Sequence, residues 1–508
     1  MLESLLRRAR GERDRPPEPL DDFEPTPFGP DWLTQFLPHY LTAATSRMHA
    51  ELTAALGTLA GNRGQQINRM APRGFAKSTI VSKAYPLWAA LEGVEPFTFL
   101  LSDTSNQAIS FLKAIKFEVE SNDAISSHYG RVARPGREWK QDIISLPNGS
   151  MIAAVGAQGR IRGLTNNNRR PTLVVIDDAN KREDAYSPTM RARTLDWLRR
   201  DVLPVGEPGH TNFVCVGTPI HREAVVCELG RDATWKTLTY RAIERMPDRM
   251  DLWHEWENVL SNLGDDDRKA KADAFYAANR GEMDRGAVLL WPERFPLSLL
   301  MERRAALGQS AFDSEYGDKP GTAGSTEWPT EYFDRPDLWF DQWPDDLIGN
   351  AVFLDPSKGE GSKPGDWQAH TLGGWSAKNR CFYVEADPRR EPPTDMVARA
   401  IRHAQAMRCP VTAETNSTMG LLMAEFERQI DGKAVGLQGI NVAGNKKIRI
   451  ISTLGPWLAR GQIRIRNTSG GRELVSQLRD VPNGEYDDCP DSLASFVQRV
   501  LVNLNGGR

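Results

Sequence analysis

The sequence lacks a long hydrophobic run. No apolar stretch in its 508 residues approaches the ~20 needed to cross a bilayer, and the N-terminus has no signal-peptide core. Both absences point away from membrane and secreted proteins. Cysteine is scarce as well. Cys215, Cys227, Cys381, Cys409 and Cys489 show no C-x-x-C pairing, which argues for a reducing compartment and against a structural zinc site. Charge of one sign is missing. The formal net charge of −3 excludes no partner, because stretches such as "RGREWK", "GRIRG" and "NNNRRP" can build a local basic stripe. There is no internal repeat.

What the chain does contain is enough apolar sequence for two or three domains, each with its own core. Residues 1–39 read as a short charged helix and a Pro-rich arm, and 44–60 carry helical apolar spacing. Short apolar runs then alternate with helical ones. "FTFLLSD" (97–103) precedes a helical 105–121, "MIAAVG" (151–156) and "TLVVIDD" (172–178) precede a helical 188–203, and "NFVCVGTP" (212–219) follows. Continuous apolar strands between helices predict a mostly parallel, covered sheet. Residues 251–290 read as a helical insertion or subdomain on this first unit. The Pro-, Gly- and Trp-rich 321–345 reads as the linker, and 346–508 as a second α/β unit: three strands, a helix over 394–407, the strand "VTAE", then helices to the end.

"APRGFAKST" (71–79) approaches a phosphate loop, in which backbone N–H groups and a lysine face phosphates and a hydroxyl meets Mg²⁺. Lys77, Ser78 and Thr79 supply the signature end, and Pro72 and Gly74 supply a bend. The glycines of G-x-x-x-x-G-K-[ST] are replaced by Ala71 and Ala76, and alanine at 76 is tolerable if its φ stays negative, since the cradle uses its N–H rather than its side chain. About a hundred residues on, "TLVVIDDAN" ends a strand in Asp177 and Asp178, one acid to hold Mg²⁺ and one to orient water. A third strand ends in Gly217, Thr218 and Pro219, where a polar group can sense a γ-phosphate. Arg73, Arg160 and Arg162 are candidate cations for that phosphate; for each, a solvated or DNA-facing arginine is the plain alternative.

The second unit offers separated carboxylates. Asp355 ends an apolar strand, Asp366 precedes the next, Glu414 ends "VTAE", and Asp487, Asp488 and Asp491 open an apolar helix. Acids from strand ends and a helix start can share two divalent ions, the arrangement that cleaves phosphodiesters. Taken singly, each is explained as a turn or N-cap residue.

The series "APRGFAKSTIV", "GRIRGL", "LVVIDDAN", "VGTPIH", "FDSEYGDKP", "FLDPSKGEGSKPGDWQAHTLGGW", "AETNSTMG", "KKIRIISTLGPWLARGQI" and "YDDCPDSLASF" resembles, in this order and over nearly the whole chain, the large terminase subunits of tailed bacteriophages. The resemblance implies a P-loop, ASCE-type ATPase over 40–320 and an RNase H-like endonuclease over 346–508. It implies that Arg73, Gly74, Ala76, Lys77, Ser78, Thr79, Asp177 and Thr218 bind ATP, with Ser78 and Asp177 on Mg²⁺. Asp178 would be the catalytic carboxylate, with Arg73 and Arg162 as phosphate-facing arginines. Asp355, Glu414 and Asp488 would be the nuclease acids holding Mg²⁺ or Mn²⁺, with Asp366 and Asp491 at the edge. Implied partners are double-stranded DNA, a small terminase subunit, a portal protein and a procapsid, with the chain acting as a homo-oligomeric ring in the host cytoplasm and no membrane involved. Two positions depart from the family's pattern: Ala76 stands for a glycine, and Asp178 for the usual Glu, with Glu183 a distant substitute. A helicase-nuclease of DNA repair and a DNA-binding structural protein with decayed sites are the competing readings.

Overall fold

The computed structural model describes residues 23–506, apart from 158, 160, 162–165, 167–168, 181–187, 318–326, 356–367, 415–418, 431–434, 441–444 and 483–485. The chain divides into two units, Met1–Pro219 with Glu223–Tyr240, and Ile220–Arg222 with Arg241–Arg508.

The first unit is built on a seven-stranded sheet. Its strands are β1 (Gln66–Met70), β2 (Phe97–Ser102), β3 (Ile143–Ser145), β4 (Met151–Gly156), β5 (Leu173–Asp177), β6 (Asn212–Gly217) and β7 (Lys236–Thr239). Their order in space is β3-β4-β2-β5-β6-β1-β7, and only β3 runs antiparallel. The apolar runs β2, β5 and β6 are buried along their whole length, as expected for a sheet covered on both faces.

β1 does not read as a strand in sequence. "QINRM" is polar, yet Asn68 is fully buried and Arg69 nearly so. Their polar groups are bonded locally in part, while Asn68 Oδ1 and Arg69 Nε have no partner among the described residues. Asn68 Nδ2 donates to the Val226 carbonyl at 2.8 Å, and Arg69 Nη1 donates to the carbonyls of Asn68 and Lys236 at 2.9 and 2.6 Å. Side-chain bonds to neighbouring backbone thus replace the hydrophobicity that a central strand otherwise shows.

The second unit carries a second seven-stranded sheet, ordered β10-β16-β13-β12-β11-β14-β15. Preceding it are β8 (Ile243–Arg245), the helices Met250–Leu260 and Arg268–Asp284, β9 (Val288–Leu289), and the helices Leu297–Leu307 and Gln309–Tyr316. The sheet strands are β10 (Trp339–Phe340), β11 (Leu347–Asp355), β12 (Gln368–Ser376), β13 (Cys381–Arg389), β14 (Val411–Glu414), β15 (Leu437–Ile440) and β16 (Ile463–Arg466). β11, β12 and β13 form an antiparallel meander, and β14 pairs parallel to β11. Strand alternation sends Val352 and Leu354 into the core beneath the helix Pro393–Met407, so the next residue, Asp355, belongs to the opposite face.

Two expectations need correction. The C-terminal stretch is not wholly helical: β15 and β16 interrupt it, each only four residues long. The chain also divides at 240/241 rather than at 321–345. Residues 241–317 are indeed mainly helical, but they pack within the second unit. Arg460 Nη1 donates to the Ala305 carbonyl at 2.7 Å, Gln462 Nε2 donates to Ser261 Oγ at 3.1 Å, and the helices 297–307 and 309–316 lie on the helix Lys446–Ala459. Local composition marks a linker but cannot report these long-range polar ties.

Replacing Asn68 by Ala should remove the amide's bond to the Val226 carbonyl and cost about 1 kcal/mol of stability. Urea unfolding measures it, and an unchanged midpoint would contradict the role given to this side chain.

Candidate active sites on two sheets

The first candidate site lies at the carboxyl ends of β1, β6 and β5, which are adjacent in that order. The loop after β1 is pinned from below. Phe75 is fully buried, and its carbonyl accepts from Nε2 of buried His49 at 3.0 Å. His49 Nδ1 accepts from the Ser46 N–H at 2.9 Å, which fixes the proton on Nε2. Burial lowers the His49 pKa, in keeping with a neutral ring. His49 was not singled out in the sequence, and no motif signal marks it.

The loop turns with Gly74 at φ +81° and Ala76 at φ +55°. The condition of a negative φ at Ala76 is therefore not met: the backbone takes a left-handed turn there, a conformation that favours glycine. Lys77, 5% exposed, donates from Nζ to Thr218 Oγ1 at 2.8 Å and stands 3.9 Å from Asp178 Oδ2. Thr79 opens a widened π-turn, Thr79–Ala84, which runs into the helix Tyr85–Leu91. Ser78 and Ser82 both donate to the Asp177 carboxylate, the former at 3.0 Å. Asp178, at φ +45°, is exposed and accepts from the Thr218 N–H at 2.8 Å. Burial raises the Asp177 pKa to about 7, with Asp178 adding to the rise and the two serines and Lys77 opposing it.

Lys77, Ser78, Asp177, Asp178 and Thr218 are thus brought together. Arg73 lies exposed on the same loop. Arg160, Arg162 and Glu183 lie outside the described residues. A hydroxyl and a carboxylate 3.0 Å apart are the donor pair that Mg²⁺ takes beside a phosphate, so Ser78 and Asp177 fit that ion.

The second candidate site gathers at one end of the second sheet. β11 ends in Asp355 and β14 ends in Glu414, and the preceding residues Leu354 and Ala413 are register partners. The helix Asp488–Gly506 starts beside them. Its small residues let it lie close to the sheet, where Ser492 Oγ meets Thr371 Oγ1 at 2.9 Å and donates to the Ala369 carbonyl at 3.2 Å. Burial raises the Asp355 pKa well above the carboxylate range, and Asp491, Asp488 and Glu414 raise it further while Lys446 opposes them.

Asp491 is not at the edge. It is 5% exposed, pairs with Arg449, and stands 3.5 Å from Lys446 Nζ, which also reaches Asp487 at 2.7 Å and Asp488 at 3.5 Å. Its place one helical turn into the helix carries it deeper than Asp488. Lys446 and Arg449 were missed in the sequence; their i, i+3 spacing in "NKKIR" is the signal that they share a face. Asp366 lies outside the described residues. Four carboxylates in one another's field suit a divalent cation, yet no three His, Cys, Asp or Glu among the described residues stand in metal-holding geometry.

No protein-family model and no curated protein matches the chain. Among solved structures, it is similar to the large terminase from a thermophilic bacteriophage, seen in two crystal forms. Identity is 11% in both; each match covers 94% of this chain and 100% of that one, with TM-scores of 0.43 and 0.40.

Two outcomes follow from the first site. Ala76→Gly should relieve the left-handed strain and raise stability by about 1 kcal/mol, read as a higher denaturation midpoint; a lower midpoint would contradict the φ assignment. The raised pKa of Asp177 means that ionising it costs stability, a cost absent below pH 4 and complete above pH 7. Asp177→Asn should therefore melt above the parent at pH 8, with the gap closing as pH falls toward 4. A gap independent of pH would contradict it.

Proposed function

We propose that the chain is a large terminase subunit, an ATP-driven motor that moves double-stranded viral DNA into a procapsid and cuts concatemeric DNA with a metal-dependent nuclease. The observation that carries the motor half is the convergence of three strand ends: Lys77 from the loop after β1, Thr218 from β6, and Asp177 with Asp178 from β5. The position of β6 between the loop strand and the acid strand supports an ASCE-type ATPase. In that reading Lys77 leaves Thr218 to neutralise the β- and γ-phosphates, and Thr218 then reports the nucleotide state to β6. Asp178, exposed and oriented by the Thr218 N–H, accepts a hydrogen bond from the attacking water. Ser78 and Asp177 would hold Mg²⁺, which would supply charge stabilisation to the phosphates. Arg73, and Arg162 from a neighbouring subunit, supply cations.

The β13-β12-β11-β14-β15 order, with acids at the ends of β11 and β14 and at a helix start, supports an RNase H-like nuclease. Asp355, Glu414, Asp488 and the deep Asp491 would hold Mg²⁺ or Mn²⁺, ions that activate water and stabilise the leaving oxygen. The partners this reading calls for are a small terminase subunit and a portal ring, on which the chain works as a homo-oligomer.

Lys77→Ala should abolish ATP hydrolysis and spare DNA cleavage. Asp355→Ala, Glu414→Ala, Asp488→Ala and Asp491→Ala should each abolish cleavage in Mg²⁺ or Mn²⁺ and spare ATP hydrolysis. Normal turnover in the Lys77 variant would sink the motor half, and normal cutting in all four acid variants the nuclease half. A DNA-binding protein with decayed sites would show neither activity in the parent chain.

A further inference from the structure

The acids of the second unit are closed by the protein's own cations. Asn445 caps the helix Lys446–Ala459, its side chain accepting from the Lys447 and Ile448 N–H groups at 3.0 and 3.3 Å, which fixes where the first turn points. From that turn Lys446 reaches three carboxylates at 2.7–3.5 Å, and Arg449, one turn on, pairs with Asp491. The two cations differ in freedom. The Arg449 side chain is 12% exposed and held on a single acid, whereas the Lys446 side chain is 36% exposed and its ammonium is shared among three acids. A lysine is a point charge on a flexible stem, so it can swing away at little cost, where a planar guanidinium cannot. Its ammonium sits among the oxygens that a divalent ion would need, and no metal-holding geometry is formed among the described acids around it.

We propose that Lys446 is a tethered counter-cation that closes the acidic site until a divalent ion displaces it, so that metal loading and lysine release are one step. Autoinhibition of this kind keeps a nuclease silent on DNA until the ion is bound. The inference rests on the nuclease reading given above, and its test separates the two.

Mn²⁺ is titrated calorimetrically into the full chain, nucleotide-free, for the parent, Lys446→Met and Lys446→Arg, each with and without Asp355→Ala. Met keeps the stem and removes the charge. Lys446→Met should bind Mn²⁺ about ten-fold more tightly, because a unit charge close to three carboxylates no longer competes, even after solvent screening is allowed for. Its metal-free melting temperature should fall and its rise on adding Mn²⁺ should exceed the parent's. Lys446→Arg, which keeps the charge on a group that cannot swing away, should bind Mn²⁺ more weakly than the parent, and the gain of Lys446→Met should vanish when Asp355→Ala is added. Equal or weaker Mn²⁺ binding by Lys446→Met, with Asp355-dependent binding in the parent, would overturn the counter-cation role and leave the nuclease reading standing. No Asp355-dependent Mn²⁺ binding in any variant would overturn the nuclease reading and the inference with it. Were Lys446→Met not to fold, Mn²⁺ binding by Lys446→Arg as tight as or tighter than the parent's would contradict the proposal and weaker binding would support it.

Discussion

Asp177 ends a strand whose preceding residues, Val174, Val175 and Ile176, are fully buried, and its own carboxylate is 1% exposed. A charge there is tolerable only if donors surround it. Ser78 and Ser82 provide them, one from the loop and one from the widened turn four residues on, and Lys77 lies close by. This single constraint fixes much of the first unit. It sets the loop against β5, requires a turn wide enough to present two serines to one carboxylate, and sends Lys77 across to Thr218 on β6. His49 and Phe75 hold the loop from the other side, so its conformation is determined before any ligand arrives.

The second unit meets the same physical problem with a different device. Its acids come from three separate elements. The compensating charges are carried on a helix that runs past them, as Lys446 and Arg449. In both units a lysine neutralises acids at strand ends, but Lys77 is nearly sealed while Lys446 is one-third exposed. In the reading proposed above, that difference in solvent access separates a cation set for a phosphate from one able to leave.

Much of this was legible in the sequence where hydrophobicity spoke plainly. The runs 97–103, 151–156, 172–178 and 212–219 became β2, β4, β5 and β6 almost residue for residue, and the helical 105–121 became the helix Ser105–Ser121. The acids Asp177, Asp355 and Glu414 were legible because each follows such a run. β1 was not, because Asn68 and Arg69 are buried through hydrogen bonds that no pattern of apolar residues records. The left-handed turn at Ala76 was missed because propensity argues against it, and the pinned loop overrides propensity. Lys446, Arg449 and His49 stayed hidden since their partners are distant in sequence. The depth of Asp491 depends on how closely the helix Asp488–Gly506 approaches β12, which is a matter of tertiary packing.

The most direct test of the central claim, that three strand ends of the first unit form one nucleotide site, is to count bound nucleotide. A fluorescent ATP analogue titrated into the purified full chain, with Mg²⁺ and with a chelator, gives both stoichiometry and ion dependence. The account predicts one nucleotide per chain, displaced by ATP and weakened when Mg²⁺ is removed, because Ser78 and Asp177 are set to share that ion. Absence of saturable binding, or binding indifferent to Mg²⁺, would contradict it.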